Sequence, residues 1–281
     1  MSRHLMSIRE AFDRSPYFSM KHRSYFQAYD LLLAPYRDRE IVFVEVGVLN
    51  GGSLFMWREF LGPKARIVGV DFNPGARKWE ASGFEIHIGN QADPAFWRDF
   101  FRKVGPVDIL LDDGGHTNEQ QIVTTSESFA HIRDGGLIIV EDAHASYLRE
   151  FGNPYKYSFM NYAKSIVDVV NGRFHTLKER GATWSDCVFY VSFFESIVCF
   201  HIDRSRSFVN APVVNAGVTS EAVDFRDADL KSAMLDRLGP LRSVALALRD
   251  YAPVRNAMRA VLAWRIRQAG RLRARRLKDL F

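Results

Sequence analysis

The sequence predicts a doubly wound α/β fold with a mostly parallel, seven-stranded sheet. Five short apolar runs each end in an acidic residue, Gly or Asn, and they lie at 41–47, 65–71, 84–90, 107–113 and 136–142. Helical segments such as "SLFMWREFL" and "PAFWRDFFRKV" separate the runs, and this alternation is typical of βαβ units around a parallel sheet. Two further strand-like runs around Glu195 and Ser196 predict a closing hairpin.

The chain of 281 residues suits one large domain, or one ordinary domain with an appendage. We predict an N-terminal helical segment at 1–40, a core at 41–205 and a C-terminal extension with a basic helix at 206–281. Within the first segment, four residues recur at helical spacing, namely Tyr25, Tyr29, Leu32 and Leu33.

The composition is that of a soluble globular protein, with 47% apolar and 25% charged residues. The first residues are charged and lack the apolar segment of a secretory signal. No run approaches the roughly 18 apolar residues that a membrane span requires. We therefore expect a cytoplasmic protein, in which Cys187 and Cys199 are buried thiols rather than a disulfide.

The C-terminal end is strongly basic, with nine basic residues and one acidic residue from Arg255 onward. This excess is larger than the net charge of +5, so the rest of the chain is mildly acidic. The segment predicts a helix whose apolar stripe holds Met258, Val261, Leu262, Ile266 and Ala269 and is interrupted by Arg273 and Arg276. Packing on a second subunit of a homo-oligomer and peripheral contact with the inner membrane face both stay open. Without interleaved aromatic residues, nucleic-acid binding is not expected.

The loop after the first strand, "VEVGVLNGGS", contains five residues that we assign to a cofactor site, namely Glu45, Gly47, Asn50, Gly51 and Ser53. Glycines let a ligand approach the backbone, and Ser53 is expected to cap the next helix. Asp71 ends the second strand, where a carboxylate can accept both hydroxyls of a ribose. The spacing departs from the dinucleotide and P-loop patterns, which favours S-adenosylmethionine over NAD or ATP.

The loops after the third and fourth strands complete the predicted cofactor site. Asn90 and Gln91 follow the third strand and are expected to flank the adenine. Asp112 ends the fourth strand, within "ILLDDGGH", and we assign it to the same site. These assignments follow from the rule that ligands bind at the carboxyl ends of parallel strands.

A second group of acids follows the fourth and fifth strands. Asp113 ends the fourth strand, and Glu141 and Asp142 end the fifth. Because neighbouring parallel strands end at the same sheet edge, the three carboxylates are expected to converge. Oxygen ligands of this kind favour Mg²⁺, or Mn²⁺, over zinc.

Six segments resemble, in order, the motif series of class I S-adenosylmethionine-dependent methyltransferases: "FVEVGVLNGGSLFMW", "VGVDFNP", "IHIGNQADPAFW", "VDILLDDGGH", "RDGGLIIVED" and "FFESIVCF". Within that class the chain most resembles the metal-dependent sugar O-methyltransferases of macrolide biosynthesis, of the mycinamicin and tylosin type, and the group called cephalosporin-hydroxylase-like. The resemblance implies a Rossmann-like methyltransferase fold, metal ligands at Asp113, Glu141 and Asp142, and His116 as the general base. It also implies that Lys21, His22 and Tyr25 lie near the substrate.

The expected reaction is Mg²⁺-dependent transfer of a methyl group from S-adenosylmethionine to a hydroxyl of a saccharide, glycan or glycosylated natural product. An imidazole such as that of His116 is suited to proton transfer near neutral pH. Two alternatives remain: O-methylation of a catechol-like small molecule, and a non-catalytic, membrane-associated or scaffold role in polysaccharide assembly. The Glu141-Asp142 pair and the Gly115-His116 turn depart from the catechol pattern, and the presence of all three acids with His116 disfavours a scaffold.

Overall fold

The computed structural model describes residues 6–151, 155–174, 186–218 and 251–278. The chain divides into two compact units, residues 1–212 and residues 213–281. In the first unit the strands are β1 (Val42–Val46), β2 (Arg66–Asp71), β3 (Glu85–Ile88), β4 (Val107–Asp112), β5 (Ile132–Val140), β6 (Val188–Phe194) and β7 (Ile197–Ile202). Its α-helices are α1 (Ile8–Asp13), α2 (Tyr25–Leu33), α3 (Gly52–Leu61), α4 (Pro94–Val104), α5 (Asn118–Ser128) and α6 (Phe159–Asn171).

Short 3₁₀ helices connect several of these elements. They lie at Ala34–Tyr36, Pro74–Ser82, Ala143–Tyr147, Arg149–Phe151, Tyr155–Tyr157 and Arg204–Arg206. The segment Ala143–Tyr147 directly follows the acids that end β5, so it sets the direction in which the chain leaves the sheet edge.

The seven strands form one sheet in the order β3-β2-β1-β4-β5-β7-β6. The strands from β3 to β5 pair in parallel, and β7 is antiparallel to both β5 and β6. This sheet confirms the predicted doubly wound, mostly parallel fold, and the hairpin turn falls at Glu195 and Ser196 as expected.

Helices cover both faces of the sheet. Consecutive residues of one strand alternate between two hydrophobic clusters, so that Phe43 packs with α1, α2 and α3 while Val44 packs with α4 and α6. A strand that is buried on both faces needs apolar residues at every position. This explains why the strands read as continuous apolar runs rather than as an alternating pattern.

The N-terminal helices pack into the same unit as the sheet. Tyr25, Tyr29 and Leu33 lie on the buried face of α2, where the i, i+4 spacing brings their side chains onto one side of the helix. Ser7 forms a capping box with Glu10 at the start of α1. Helices α1 and α2, which lie in the N-terminal segment predicted at 1–40, therefore contribute directly to the hydrophobic core on one face of the sheet.

Two local boundaries differ from the predictions. Strand β5 begins at Ile132, before the predicted run at 136–142. The prediction that Ser53 caps the next helix is wrong, because Gly51 occupies the N-cap of α3 in a left-handed conformation. The Ser53 hydroxyl instead donates to the Glu45 carboxylate at 2.8 Å.

The second unit contains α7 (Ala252–Leu277), which confirms that the basic segment is helical. Of the five residues of the predicted apolar stripe, the side chains of three, Met258, Leu262 and Ala269, lie outside what the structure describes. The role of the stripe stays a prediction. In the described part of the chain, no helix is both long enough and apolar enough to cross a membrane. Cys187 and Cys199 are buried and form no disulfide.

Candidate active site

The loops after β1 to β5 meet around one cavity of about 790 Å³ at the carboxyl edge of the sheet. The ends of β1, β4 and β5 are level, because Asp112 pairs with Val46 on one side and Val140 on the other. The cavity is lined by most of the predicted site residues, namely Gly47, Asn50, Ser53, Asp71, Asn90, Gln91, Asp113, His116, Glu141 and Asp142. Its volume lies in the range that small-molecule sites use, about 300–1,000 Å³.

The loop after β1 is held close to the loop after β4. Gly47 has φ +92°, and a Cβ at this position would lie 2.1 Å from the carbonyl oxygen of Asp113. Only glycine permits this approach. The amides of Val48 and Leu49 donate to Asp71 Oδ2 at 2.9 and 3.0 Å. The loop after β1 is thus held against the end of β2 and the loop after β4.

Asp71 lines the cavity but uses much of its acceptor capacity inside the protein. Its Oδ2 accepts from two loop amides, and its Oδ1 accepts from the amide of Asn73 at 2.8 Å. A carboxylate offers about four lone-pair sites, so one site on Oδ1 remains. Asp71 can therefore accept one hydroxyl of a ribose at most, not two as the sequence predicted.

Glu45 and Gly51 do not line the cavity, and their assignment to the cofactor stays a prediction. The Glu45 carboxylate is fully buried and accepts from Ser53 at one oxygen and from Trp57 Nε1 at the other, both at 2.8 Å. Burial raises the pKa of Glu45 to about 7. Gly51 has φ +78°, and a Cβ there would lie 2.3 Å from the Trp79 ring. Both residues fix the start of α3.

Asp112 also lies outside the cavity lining, and its assignment to the cofactor stays a prediction. Its Oδ1 accepts from Gln91 Nε2 at 2.9 Å and from the Gly114 amide at 3.1 Å. Burial raises the pKa of Asp112 to about 7. Gln91 in turn accepts from the Gly115 amide at 2.8 Å. The side chains of Gln91 and Asp112 therefore hold the "DDGGH" loop in place, while the exposed Asn90 faces the cavity.

Asp113, His116 and Asp142 come together in the cavity. Donor atoms of the three side chains lie within 4.8 Å of one another, and His116 Nε2 is 3.3 Å from Asp142 Oδ2. His116 and Asp142 have φ values of +60° and +52°, and such strained backbone is typical of functional sites. Thr117 caps α5 through a capping box with Gln120, which anchors the chain just after His116.

Glu141 has a different environment from the one predicted. It is 1% exposed, and its two oxygens accept from Lys21 Nζ at 3.0 and 2.9 Å. Lys21 Nζ also donates to Asp113 Oδ2 at 2.6 Å, and the Tyr29 hydroxyl donates to Glu141. Burial lowers the pKa of Lys21, but the charges of Glu141 and Asp113 outweigh it and raise the pKa overall. A charged ammonium therefore stands between the two carboxylates.

The donor set fits a divalent cation at Asp113 and Asp142, with the imidazole of His116 beside them. Both carboxylates reach the cavity and keep 22% and 20% of their side-chain surface exposed. Oxygen donors of this type suit Mg²⁺ or Mn²⁺. Glu141 lines the same cavity, but in this structure its oxygens bind Lys21 and Tyr29.

The sequence predictions missed the role of Tyr29 and the depth at which Lys21 lies. Lys21 was expected near the substrate, but its side chain is 1% exposed and bonds to two predicted metal ligands. Tyr29 was noted only for its helical spacing. The signal was present, since Tyr25 and Tyr29 are four residues apart and donate to Asp142 and Glu141 respectively.

Known proteins with similar sequences are methyltransferases. A family model described as a methyltransferase domain matches residues 44–143. The 8-demethyl-8-α-L-rhamnosyl tetracenomycin-C 2'-O-methyltransferase of Streptomyces olivaceus is 34% identical over 155 residues, which cover 52% of this chain and 40% of that protein. The mycinamicin VI 2''-O-methyltransferase of Micromonospora griseorubida is 32% identical over 154 residues, covering 50% of this chain and 38% of that protein. The chain thus spans about two fifths of the length of these curated relatives.

A solved structure is similar over most of the chain. It is the MycE methyltransferase from the mycinamycin biosynthetic pathway in complex with Mg, SAH and mycinamycin VI, with a TM-score of 0.67 and 23% identity. The match covers 82% of this chain and 60% of that one, and at this identity it bears on the fold. Residues 44–143 therefore match a methyltransferase domain, and the chain resembles the sugar O-methyltransferases of macrolide biosynthesis.

Proposed function

We propose that this protein transfers a methyl group from S-adenosylmethionine to a sugar hydroxyl of a sugar-bearing acceptor, in a reaction that depends on Mg²⁺ or Mn²⁺. One observation carries the proposal. A single cavity is lined by the loops after β1, β2 and β3 on one side and by Asp113, His116 and Asp142 on the other. The names of the similar proteins, such as the mycinamicin VI and tetracenomycin-C rhamnosyl enzymes, support a sugar hydroxyl as the acceptor.

A sugar hydroxyl is a poor nucleophile near neutral pH because its pKa is far above 7. When bound, S-adenosylmethionine supplies an electrophilic methyl group, and a divalent cation held by Asp113 and Asp142 lowers the pKa of the hydroxyl. The remaining task of the protein is to position the acceptor and to remove one proton.

His116 is the group that removes the proton. Its Nε2 lies 3.3 Å from Asp142 Oδ2, so the carboxylate stabilises the imidazolium that forms after proton transfer. Contacts on both sides hold the His116 backbone in place, because the Gly115 amide donates to Gln91 and Thr117 caps the following helix. A base fixed in this way needs no reorganisation when the acceptor binds.

Exposed apolar side chains surround the cavity. Four of them line it while keeping most of their surface exposed, namely Phe18, Met20, Leu49 and Phe72. Exposed apolar clusters of this kind mark binding surfaces. We assign Phe72, which follows Asp71 in the chain, to the adenosine, and Met20, which precedes Lys21, to the acceptor.

Isothermal titration with S-adenosylhomocysteine and with Mg²⁺ or Mn²⁺ tests the proposal before any acceptor is known. We expect one cofactor event and one separate metal event, of which only the metal event is lost in Asp113→Ala. Methyl transfer to glycosylated acceptors is then assayed with the same preparations. Absence of cofactor binding with and without metal would refute the proposed methyl transfer.

A further inference from the structure

The carboxylate of Asp142 faces two different groups of side chains. Its Oδ2 lies toward His116, in the cavity described above. Its Oδ1 lies 3.6 Å from His22 Nε2 and 3.9 Å from His144 Nδ1. Donor atoms of His22, Asp142 and His144 all lie within 4.8 Å of one another. Asp142 Oδ1 therefore faces two histidine nitrogens, which have no role in the proposed methyl transfer.

These separations are close to those of a metal site. In a tetrahedral site with metal–ligand bonds of about 2.0–2.1 Å, neighbouring donor atoms are about 3.3–3.4 Å apart. The two measured separations exceed this by a few tenths of an ångström. The rings of His22 and His144 stand nearly perpendicular, at 86° with centroids 5.5 Å apart.

The surrounding contacts support a built site. The Tyr25 hydroxyl donates to Asp142 Oδ1, which fixes the carboxylate from behind, and such outer contacts orient metal ligands. The Ser196 hydroxyl hydrogen-bonds His144 Nδ1, so an ion that binds this nitrogen replaces that contact. An ion from solvent can reach the site, because the side chains of His22 and His144 are 61% and 45% exposed.

We propose that His22, Asp142 and His144 bind a divalent transition-metal ion of the Zn²⁺ or Co²⁺ type. Two imidazoles with one carboxylate suit such ions, whereas Mg²⁺ prefers oxygen donors. The ion joins the segment before α2 to the chain that leaves β5. Because Asp142 belongs to both sites, this ion and a cation at Asp113 weaken each other's binding. This linkage rests on the proposed function, but the site itself does not.

Cobalt titration of the tag-free protein with and without Mg²⁺ tests the site, with the visible absorption of bound Co²⁺ as the readout. We expect one equivalent to bind in the wild type, and His22→Ala and His144→Ala each to lose at least about tenfold in affinity. The control His87→Ala, which removes a histidine paired with Glu85 on β3, should leave the titration unchanged. Absence of the absorption bands in the wild type, or bands that persist in both variants, would overturn the proposal.

A further variant separates this proposal from the proposed function. Asp113→Ala should abolish Mn²⁺ binding but keep the Co²⁺ bands, because Asp113 lies outside the nitrogen-rich cluster. If the wild type binds Co²⁺ but no Mn²⁺, the metal dependence of methyl transfer fails and the new site stands. If Asp113→Ala removes the Co²⁺ bands, cobalt occupies the Asp113 side and the new site is refuted.

Discussion

Two rows of acids lie at the carboxyl edge of the sheet, and their surroundings differ sharply. The inner acids, Glu45, Asp112 and Glu141, are at most 1% exposed and accept hydrogen bonds from neighbouring side chains. The outer acids, Asp113 and Asp142, keep about a fifth of their side-chain surface exposed and face the cavity. In each of the pairs Asp112-Asp113 and Glu141-Asp142, one residue is inner and the next is outer.

The difference teaches how one sheet edge can hold both structural and reactive carboxylates. In each pair the first acid meets hydrogen-bond donors and is buried, whereas the second keeps about a fifth of its side-chain surface exposed in the cavity. A buried carboxylate costs free energy unless it is hydrogen-bonded. Hydrogen bonds from neighbouring groups offset that cost for the inner acids, which hold the loops in place. The outer acids remain accessible to a ligand.

Replacement of an outer acid should have the largest effect. We expect Asp113→Asn and Asp142→Asn to lower the rate of metal-dependent methyl transfer by about 10³-fold. Each variant removes a ligand of a cation that stabilises the transition state by several kcal/mol. Affinity for S-adenosylhomocysteine should stay within about threefold by titration. The matched inner variant Asp112→Asn should keep metal affinity, and loss of metal binding in that variant would contradict the division into two rows.

Replacement of His116 should have the next largest effect. We expect His116→Ala to lower kcat by about 10²–10⁴-fold, because it removes the general base. Metal affinity measured with Mn²⁺ should change much less than in the outer-acid variants, since the two carboxylates remain. A kcat equal to that of the wild type would remove His116 from the mechanism.

The Lys21 ammonium binds one acid of each row, the outer Asp113 and the inner Glu141. Its removal should therefore affect both rows. Lys21→Met leaves Glu141 buried without its cation, and breaking a buried pair in this way costs about 3–5 kcal/mol. We expect a lower Tm without metal and a larger rise in Tm on adding Mg²⁺ than in the wild type. Thermal unfolding with and without Mg²⁺ measures both effects.

Lys103→Met is the matched control for Lys21→Met, because Lys103 is exposed near the end of α4. We expect its thermal unfolding to match that of the wild type with and without Mg²⁺. If Mg²⁺ stabilises Lys21→Met no more than the wild type, Lys21 does not compete with a metal for Asp113 and Glu141.

The smallest expected effect concerns the pH dependence of stability through Glu45. Its pKa is about 7 in the folded protein and 4.5 in the ordinary case, so the folded state binds the proton more tightly. Stability from this group is highest below its ordinary pKa, falls as the pH rises toward 7, and is constant above that.

Glu45→Gln tests this because it removes the titration at the same site. We expect the variant to lose a pH-dependent difference of the order of 1–3 kcal/mol between about pH 4 and pH 8. Urea unfolding of the wild type and the variant at both pH values measures the difference. If the free energy of unfolding of the two proteins depends on pH in the same way, the pKa of Glu45 is not raised in the folded state.

The sequence by itself determined the fold class and the location of the site. The alternation of apolar runs with helical segments is a local property. It predicted a mostly parallel sheet, and the two last apolar runs predicted the closing hairpin. The rule that ligands bind at the carboxyl ends of parallel strands then identified the loops containing Gly47, Asn90, Asp113, His116 and Asp142, all of which line the cavity.

Only the tertiary structure decided which acid of each pair is inner and which is outer. It buries Glu45 and Asp112, and it brings Lys21 and Tyr29 to Glu141 from positions 120 and 112 residues away in the chain. Residue type and spacing carry no information about such distant partners. The direction of a carboxylate at a strand end depends on where the packed helices supply donors, and that is settled when the whole unit folds.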